Sequence, residues 1–379
     1  MDKTQAFKVA LFLDNKGNRR HHIQLQALEK AGFTPRVIVF KDYPENHYLI
    51  QKGHKDKILY LSKTRNEGFR KFSFAVLLEL IKLVKKENIK VVLTHRWKLL
   101  KYLFLCKFFC KDLKIIYHIV IGGRFSSFNR RFFFKTMEPK IDLVCVNSLA
   151  LKEEILKYNL TSPQKLKILY SAVDPSEFDI KISKKEIRNK LNLPERDFLF
   201  GMIARFRKEK DQEGLIKAFS EFINQGAKAK LLLIGDGPNL KNCKNLVKKL
   251  KIEDYVIFTG RIPPSEVPLW LKSLDAFVYI TFQEGMPMAV LEAMAGELPI
   301  IATSAEGLPD IFDTPLFFGY LIPKRDYKAL IEALGKIYSL SEEEREELGK
   351  RAKQRLLEAF SPEKLSENTV NIFKNLAFS

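Results

Sequence analysis

The sequence predicts an α/β protein of two Rossmann-like, doubly wound domains, and three observations carry that reading. Its 379 residues exceed one ordinary core and suit two domains of ~150 residues each. Short apolar runs rich in Val, Ile and Leu alternate with amphipathic stretches, twice over; this is the pattern of a parallel sheet covered by helices. Charge divides the chain in the same place. Residues 1–175 hold 34 Lys and Arg against 15 Asp and Glu, a net +19, and residues 176–379 hold 31 against 30, a net +1.

In the first half, 8–13, 35–40, 57–61, 90–94, 113–121 and 142–147 have the β-branched, apolar character of buried strands. Between them 21–31, 74–87, 97–109 and 149–158 repeat apolar residues at helical spacing. Asp174-Pro175-Ser176 makes a turn, where we place the boundary between domains 1–175 and 176–360. The second half resumes with strands at 198–203, 229–234, 256–259, 276–280 and 298–302, and helices at 212–225, 239–251, 264–273, 287–295 and 327–338. Two further helices, 342–360 and 362–376, part at Ser361-Pro362, so that residues 361–379 are expected to return to the first domain.

Several classes fall away. A hydrophobic fraction of 46% supports packed cores and excludes a disordered chain. The greasiest run, 99–110, is interrupted by Lys101 and Lys107 and falls short of the ~20 apolar residues of a spanning helix. The start of the chain lacks the order of an export signal, and the four cysteines lack zinc-site spacing. A cytoplasmic protein with reduced thiols is the expectation. The basic half calls for an anionic partner.

The chemistry concentrates at residues 282–296. There Glu284 and Gly285 turn into a helix, through Met286, Pro287 and Met288, that carries Glu292. Free amides at a helix start beyond the carboxyl end of a parallel strand form a phosphate-binding place. The two carboxylates are expected roughly 12 Å apart at ~1.5 Å per helical residue, one for a sugar ring and one for a ribose. The plain alternative is a helix with a dipole-favoured Glu at its start and a solvated one further on.

These residues, ending in Ala293-Met294-Ala295-Gly296, resemble the signature of family 4 of the retaining glycosyltransferases, which have the GT-B fold with an interdomain cleft. Gly201 to Lys210, Leu233 to Pro238, Thr259 to Ile262 and Thr303 to Asp310 match that family in order and spacing. The resemblance implies a nucleotide-sugar donor and an acidic or lipid-linked glycan acceptor, as in lipopolysaccharide biosynthesis. It implies Arg205 and Lys210 on the donor diphosphate, Glu284 on the sugar, Glu292 on the ribose and the backbone of Ile262 at the nucleobase. Fixed cations aimed at a leaving diphosphate stabilise the charge it develops. In the first half the match is thinner. Only Gly17 stands where the family carries a glycine pair facing the diphosphate; His118 ends a strand where the family often has a histidine near the sugar, and His95 ends the strand before it.

Arg124, Arg130 and Arg131 lie in a basic, aromatic segment, 122–135. It suits either peripheral contact with an anionic membrane surface or a helix that buries its phenylalanines. No Asp-x-Asp pair or metal-ligand cluster occurs, so neither a metal nor a cofactor is expected. Nucleic acid is not an expected partner, because no helix-turn-helix, zinc-finger or RNA-binding motif frames the basic residues. A nucleotide-sugar epimerase of the same architecture is the rival reading.

Overall fold

The structure is a computed structural model that describes residues 7–15, 17–123 and 125–378. The chain forms two compact units. One runs up to Ser171 and resumes at Pro362; the other is Ala172–Ser361.

The first unit is built on seven strands: β1 (Lys8–Phe12), β2 (Thr34–Phe40), β3 (Ile58–Leu61), β4 (Ile89–Thr94), β5 (Lys114–Ile119), β6 (Leu143–Val146) and β7 (Leu166–Ile168). Their order is β3-β2-β1-β4-β5-β6-β7 and every pairing is parallel. Such a sheet is covered on both faces, which is why Val91, Val92, Ile115 and Ile116 are all buried despite pointing alternately. The right-handed crossover rule puts helices Phe74–Glu87, Trp97–Phe109 and Phe128–Met137 on one face. Pro362–Ala377 packs against Arg19–Lys30, with the rings of Phe33 and Phe373 edge-on at 6.4 Å.

The second unit repeats the plan with six parallel strands: β8 (Phe198–Ile203), β9 (Ala229–Ile234), β10 (Val256–Gly260), β11 (Ala276–Tyr279), β12 (Ile300–Thr303) and β13 (Gly319–Ile322). The order β10-β9-β8-β11-β12-β13 reverses direction between β8 and β11, and the carboxyl ends of those two strands flank the crevice where such sheets hold ligands. The opposite ends are fastened by Asp275. Its carboxylate accepts from Arg188 Nη2 at 2.6 Å, from Lys184 Nζ at 2.9 Å and from the Leu199 amide at 2.8 Å.

Two strands, β7 and β13, fall where the sequence pattern predicted none. At 128–137 the outcome lies between the two expectations. The segment is a helix, yet only Phe134 of its three consecutive phenylalanines is buried, while Phe132 and Phe133 are more than half exposed.

Candidate active site

β8 ends at Ile203, and the chain then crosses the carboxyl end of its sheet through Ala204 and Arg205. The β9 loop presses on it closely. A Cβ on Gly235 would stand 2.1 Å from the Ala204 carbonyl oxygen, and one on Gly237 2.3 Å from that of Phe206; both glycines have positive φ. Their approach shapes a cavity of ≈ 580 Å³ bounded by Arg205, Gly235, Asp236, Arg261 and Ile262, a size typical of small-molecule sites. Arg205 is exposed.

A second group forms where β11 ends. Tyr279 donates its hydroxyl to Glu284 Oε2 at 2.6 Å and accepts from Lys210 Nζ at 3.0 Å, and Lys210 is also ion-paired with Glu284. Burial and the adjoining Glu284 carboxylate hold the phenol's proton well above its ordinary range, so Tyr279 stays a donor. The loops are tied together below this triangle: Thr281 Oγ1 and the Phe282 amide both donate to the Glu209 carbonyl, at 2.8 and 2.7 Å. From the other side, Glu306 Oε2 accepts from the Glu284 amide at 2.7 Å. A Cβ on Gly307 would lie 1.8 Å from the Gly285 carbonyl oxygen. Glu306-Gly307 therefore fixes the Glu284-Gly285 turn.

The helix begins at Met288, with Pro287 as its extended N-cap. Met286 is buried beneath the turn, and Met288 stands exposed at the helix start. Glu292 is the fifth helical residue, little more than one turn in. This corrects the sequence-based spacing. Residues 284–287 are not helical, so a helical rise cannot be applied to half of the separation between Glu284 and Glu292.

Two family models divide the chain: one described as glycosyltransferase family 4 matches residues 22–177, and one described as glycosyl transferases group 1 matches residues 183–355. The chain belongs to the group 1 glycosyltransferases of family 4. It is 30% identical over 214 residues to alpha-monoglucosyldiacylglycerol synthase of Streptococcus pneumoniae, a match to 51% of this chain and 48% of that one. It is also 30% identical over 237 residues to N-acetyl-alpha-D-glucosaminyl L-malate synthase of Bacillus anthracis, covering 61% of this chain and 59% of that one. The chain thus spans about half the length of these curated relatives. Anabaena HepE, solved in complex with UDP and glucose, superposes with a TM-score of 0.78 at 14% identity over 97% of this chain and 100% of that one. The shared fold is GT-B.

In this glycosyltransferase, Lys210 and Glu284 meet directly, and Arg205 shares its cavity with Ile262. The remaining candidates lie in the first unit. His118, on β5, is wholly buried; that burial, then Arg20 and His95, drive its imidazole well below the usual range. His95 stacks on His21 at 5.1 Å. Gly17 lies against the first unit's own side chains, since a Cβ there would meet Leu49 at 2.7 Å and His47 at 2.9 Å. Arg130 is exposed on its helix. Arg131 donates to the Phe125 and Ser126 carbonyls at 2.8 and 3.0 Å, with its guanidinium 4.5 Å from the Tyr158 ring centre, so it holds its own loop. Arg124 lies outside the described residues.

Sequence reasoning missed Tyr279 and the bracing role of Glu306. The only signal for Tyr279 was a phenol at a strand end beside the Glu284 turn. Among the described residues, no three His, Cys, Asp or Glu side chains gather to hold a metal ion, and no helix is long and apolar enough to cross a membrane.

Proposed function

We propose that this glycosyltransferase moves a hexose-type sugar from a nucleotide-sugar onto an acidic or lipid-linked glycan acceptor. In this reading the anomeric configuration is retained, no metal is needed, and the product feeds lipopolysaccharide or another surface polysaccharide at the cytoplasmic face of a membrane. The observation that carries the reading is the Lys210–Tyr279–Glu284 triangle, set at the same carboxyl end of the sheet as the Arg205–Ile262 cavity. The names of the relatives support it: one puts glucose on diacylglycerol, another puts a sugar on L-malate, and HepE was solved with UDP and glucose.

The donor diphosphate is held by Arg205 and Lys210, and the backbone of Ile262 meets the base. Arrival of the phosphates draws Lys210 from Glu284 and leaves that carboxylate, still bonded to Tyr279, for the sugar hydroxyls. As the bond from C1 to the phosphate oxygen breaks, negative charge grows on the diphosphate, and the two cations stabilise it where it forms. The acceptor oxygen bonds to C1 from the same face, and its proton passes to the departing phosphate oxygen. Glu292 takes the ribose hydroxyls. The family resemblance gives His118 to the sugar, where a neutral imidazole offers one N–H and one lone pair.

A thermal-shift comparison of UDP-, GDP-, ADP- and TDP-sugars identifies the donor, and the anomeric proton coupling of the product reports retention. Transfer should persist in EDTA. Glu284→Gln should lower turnover roughly 10²-fold with donor affinity little changed. Glu292→Ala should weaken donor binding about tenfold or more. Equal, small effects of both variants would refute these roles. Conversion of the donor's sugar without any acceptor would favour an epimerase instead.

A further inference from the structure

The first unit has a cavity of its own, ≈ 430 Å³ in volume, whose walls include Phe69, Arg96, Trp97, Lys98, Phe125 and Arg130. Three cations line it, one of them, Arg96, paired with Asp14 at 3.1 Å, and among the described residues that line it there is no Asp or Glu. The rest of the wall is Phe69, Trp97, Phe125, Ile121 and the glycine pair 122–123. A cavity of this kind fits an anionic group carried on an apolar body.

Two of the segments that continue from these walls, the approach to helix Phe74–Glu87 with its first residue and the helix Phe128–Met137, display aromatic rings outward. Phe72, Phe74, Phe128, Phe132 and Phe133 are all exposed. They are held in place. Phe72 stacks on Tyr102 at 4.8 Å, and the Tyr102 hydroxyl is pinned to the Gly68 carbonyl at 2.7 Å. Lys101 Nζ lies 5.9 Å from the centre of the Phe133 ring, linking the helix Trp97–Phe109 to Phe128–Met137. Lys71, Lys98, Lys101, Arg130 and Lys135 are exposed among the rings. The charge follows the same division. The first unit, residues 1–171 with 362–379, holds 36 basic against 16 acidic residues, a net +20; residues 172–361 hold 29 against 29. Exposed rings on a body with a large cationic excess match the two demands of an anionic bilayer, apolar burial at the headgroup boundary and counter-charge at its surface.

We propose that this aromatic and basic rim seats on an anionic bilayer, and that the cavity behind it takes the anionic head group of a lipid acceptor drawn from that bilayer. The acceptor role rests on the transfer reaction proposed above; the lipid contact does not. The protein has two tryptophans, so Trp270→Phe leaves Trp97, in the cavity wall, as the reporter.

Sedimentation with phosphatidylcholine vesicles, with and without phosphatidylglycerol, tests the rim. The protein should pellet only with the anionic vesicles, and less as salt rises. Phe72→Ser/Phe74→Ser/Phe132→Ser/Phe133→Ser should cut that binding at least tenfold while the nucleotide-sugar thermal shift is kept, which separates failure here from failure of the transfer reading. Short-chain phosphatidylglycerol should shift Trp97 emission, and Lys98→Gln/Arg130→Gln should abolish the shift. Equal binding to neutral and anionic vesicles, or no binding to either, overturns the proposal. So does a Trp97 response to inorganic phosphate as strong as that to the lipid, which would mark the site as one for a soluble anion.

Discussion

Tyr279 stands between Lys210 and Glu284, donating to the carboxylate and accepting from the ammonium. Removing its oxygen leaves the ion pair but frees the carboxylate to turn. Tyr279→Phe should therefore slow transfer about tenfold, the value of one net hydrogen bond of ~1.4 kcal/mol, with the fold intact by circular dichroism. His118 and His21 give a different test. Burial first, then neighbouring Arg and His side chains, lower both well below the ordinary value of 6.5. Under acid the unfolded chain takes up protons that the folded one refuses. Stability should fall below about pH 6.5 by about 1.4 kcal/mol per pH unit for each such histidine. Thermal midpoints between pH 7.5 and pH 5 should show the drop, and His118→Asn should make it shallower. At this scale Lys210 and Glu284 were legible because they stand in the loops after β8 and β11, inside segments that resemble the family in order and spacing. Tyr279 was not. A phenol beside Phe277, on which its ring stacks at 6.2 Å, reads in sequence as one more core aromatic.

The amino ends of β8 and β11 are joined through Asp275 and Arg188. Arg188 also donates to the carbonyls of Ser273, Glu195 and Asp197, at 2.9, 3.0 and 3.0 Å. Both side chains are nearly inaccessible. Breaking such a pair strands one charge: Asp275→Ala should cost roughly 3–5 kcal/mol, seen as a lower urea midpoint, and Asp275→Leu/Arg188→Met should recover part of it. Element boundaries show where sequence reading ran out. β7 (three residues, with Lys167 at its centre) and β13 (four, opening on Gly319) lack the continuous apolar run that marked β11 and β12, and each gains strand geometry from the neighbour it pairs with at the sheet edge. The long central strands and amphipathic helices were legible because the 2- and 3.6-residue periods persist over their length. The helix after Glu284 was expected one residue too early. Pro287 takes an extended conformation there, as an N-cap rather than a first helical residue.

For the whole molecule, the +19 excess in the first half was visible in composition, and the fold gathers it into one unit. The pattern could not say which basic residues share a surface, because that depends on which helices a parallel sheet places on the same face. Nor could it separate Arg130 from Arg131, adjacent in sequence but turned to different neighbours. The returning helix Pro362–Ala377 buries Leu365, Ile372 and Phe373. A chain ending at residue 361 should therefore keep the second unit cooperative while the first loses protection, read by hydrogen exchange across β1, β4 and the helix Arg19–Lys30.

That helix also sets a timetable. Nascent chains ordinarily complete their domains in the order in which the ribosome delivers them. Here the unit begun first cannot close until residues 362–377 emerge, after all of Ala172–Ser361 has left the exit tunnel. The later-made unit can thus finish earlier. In the interval the apolar seam awaiting Ile372 and Phe373 stands open, a transient target for chaperones during translation.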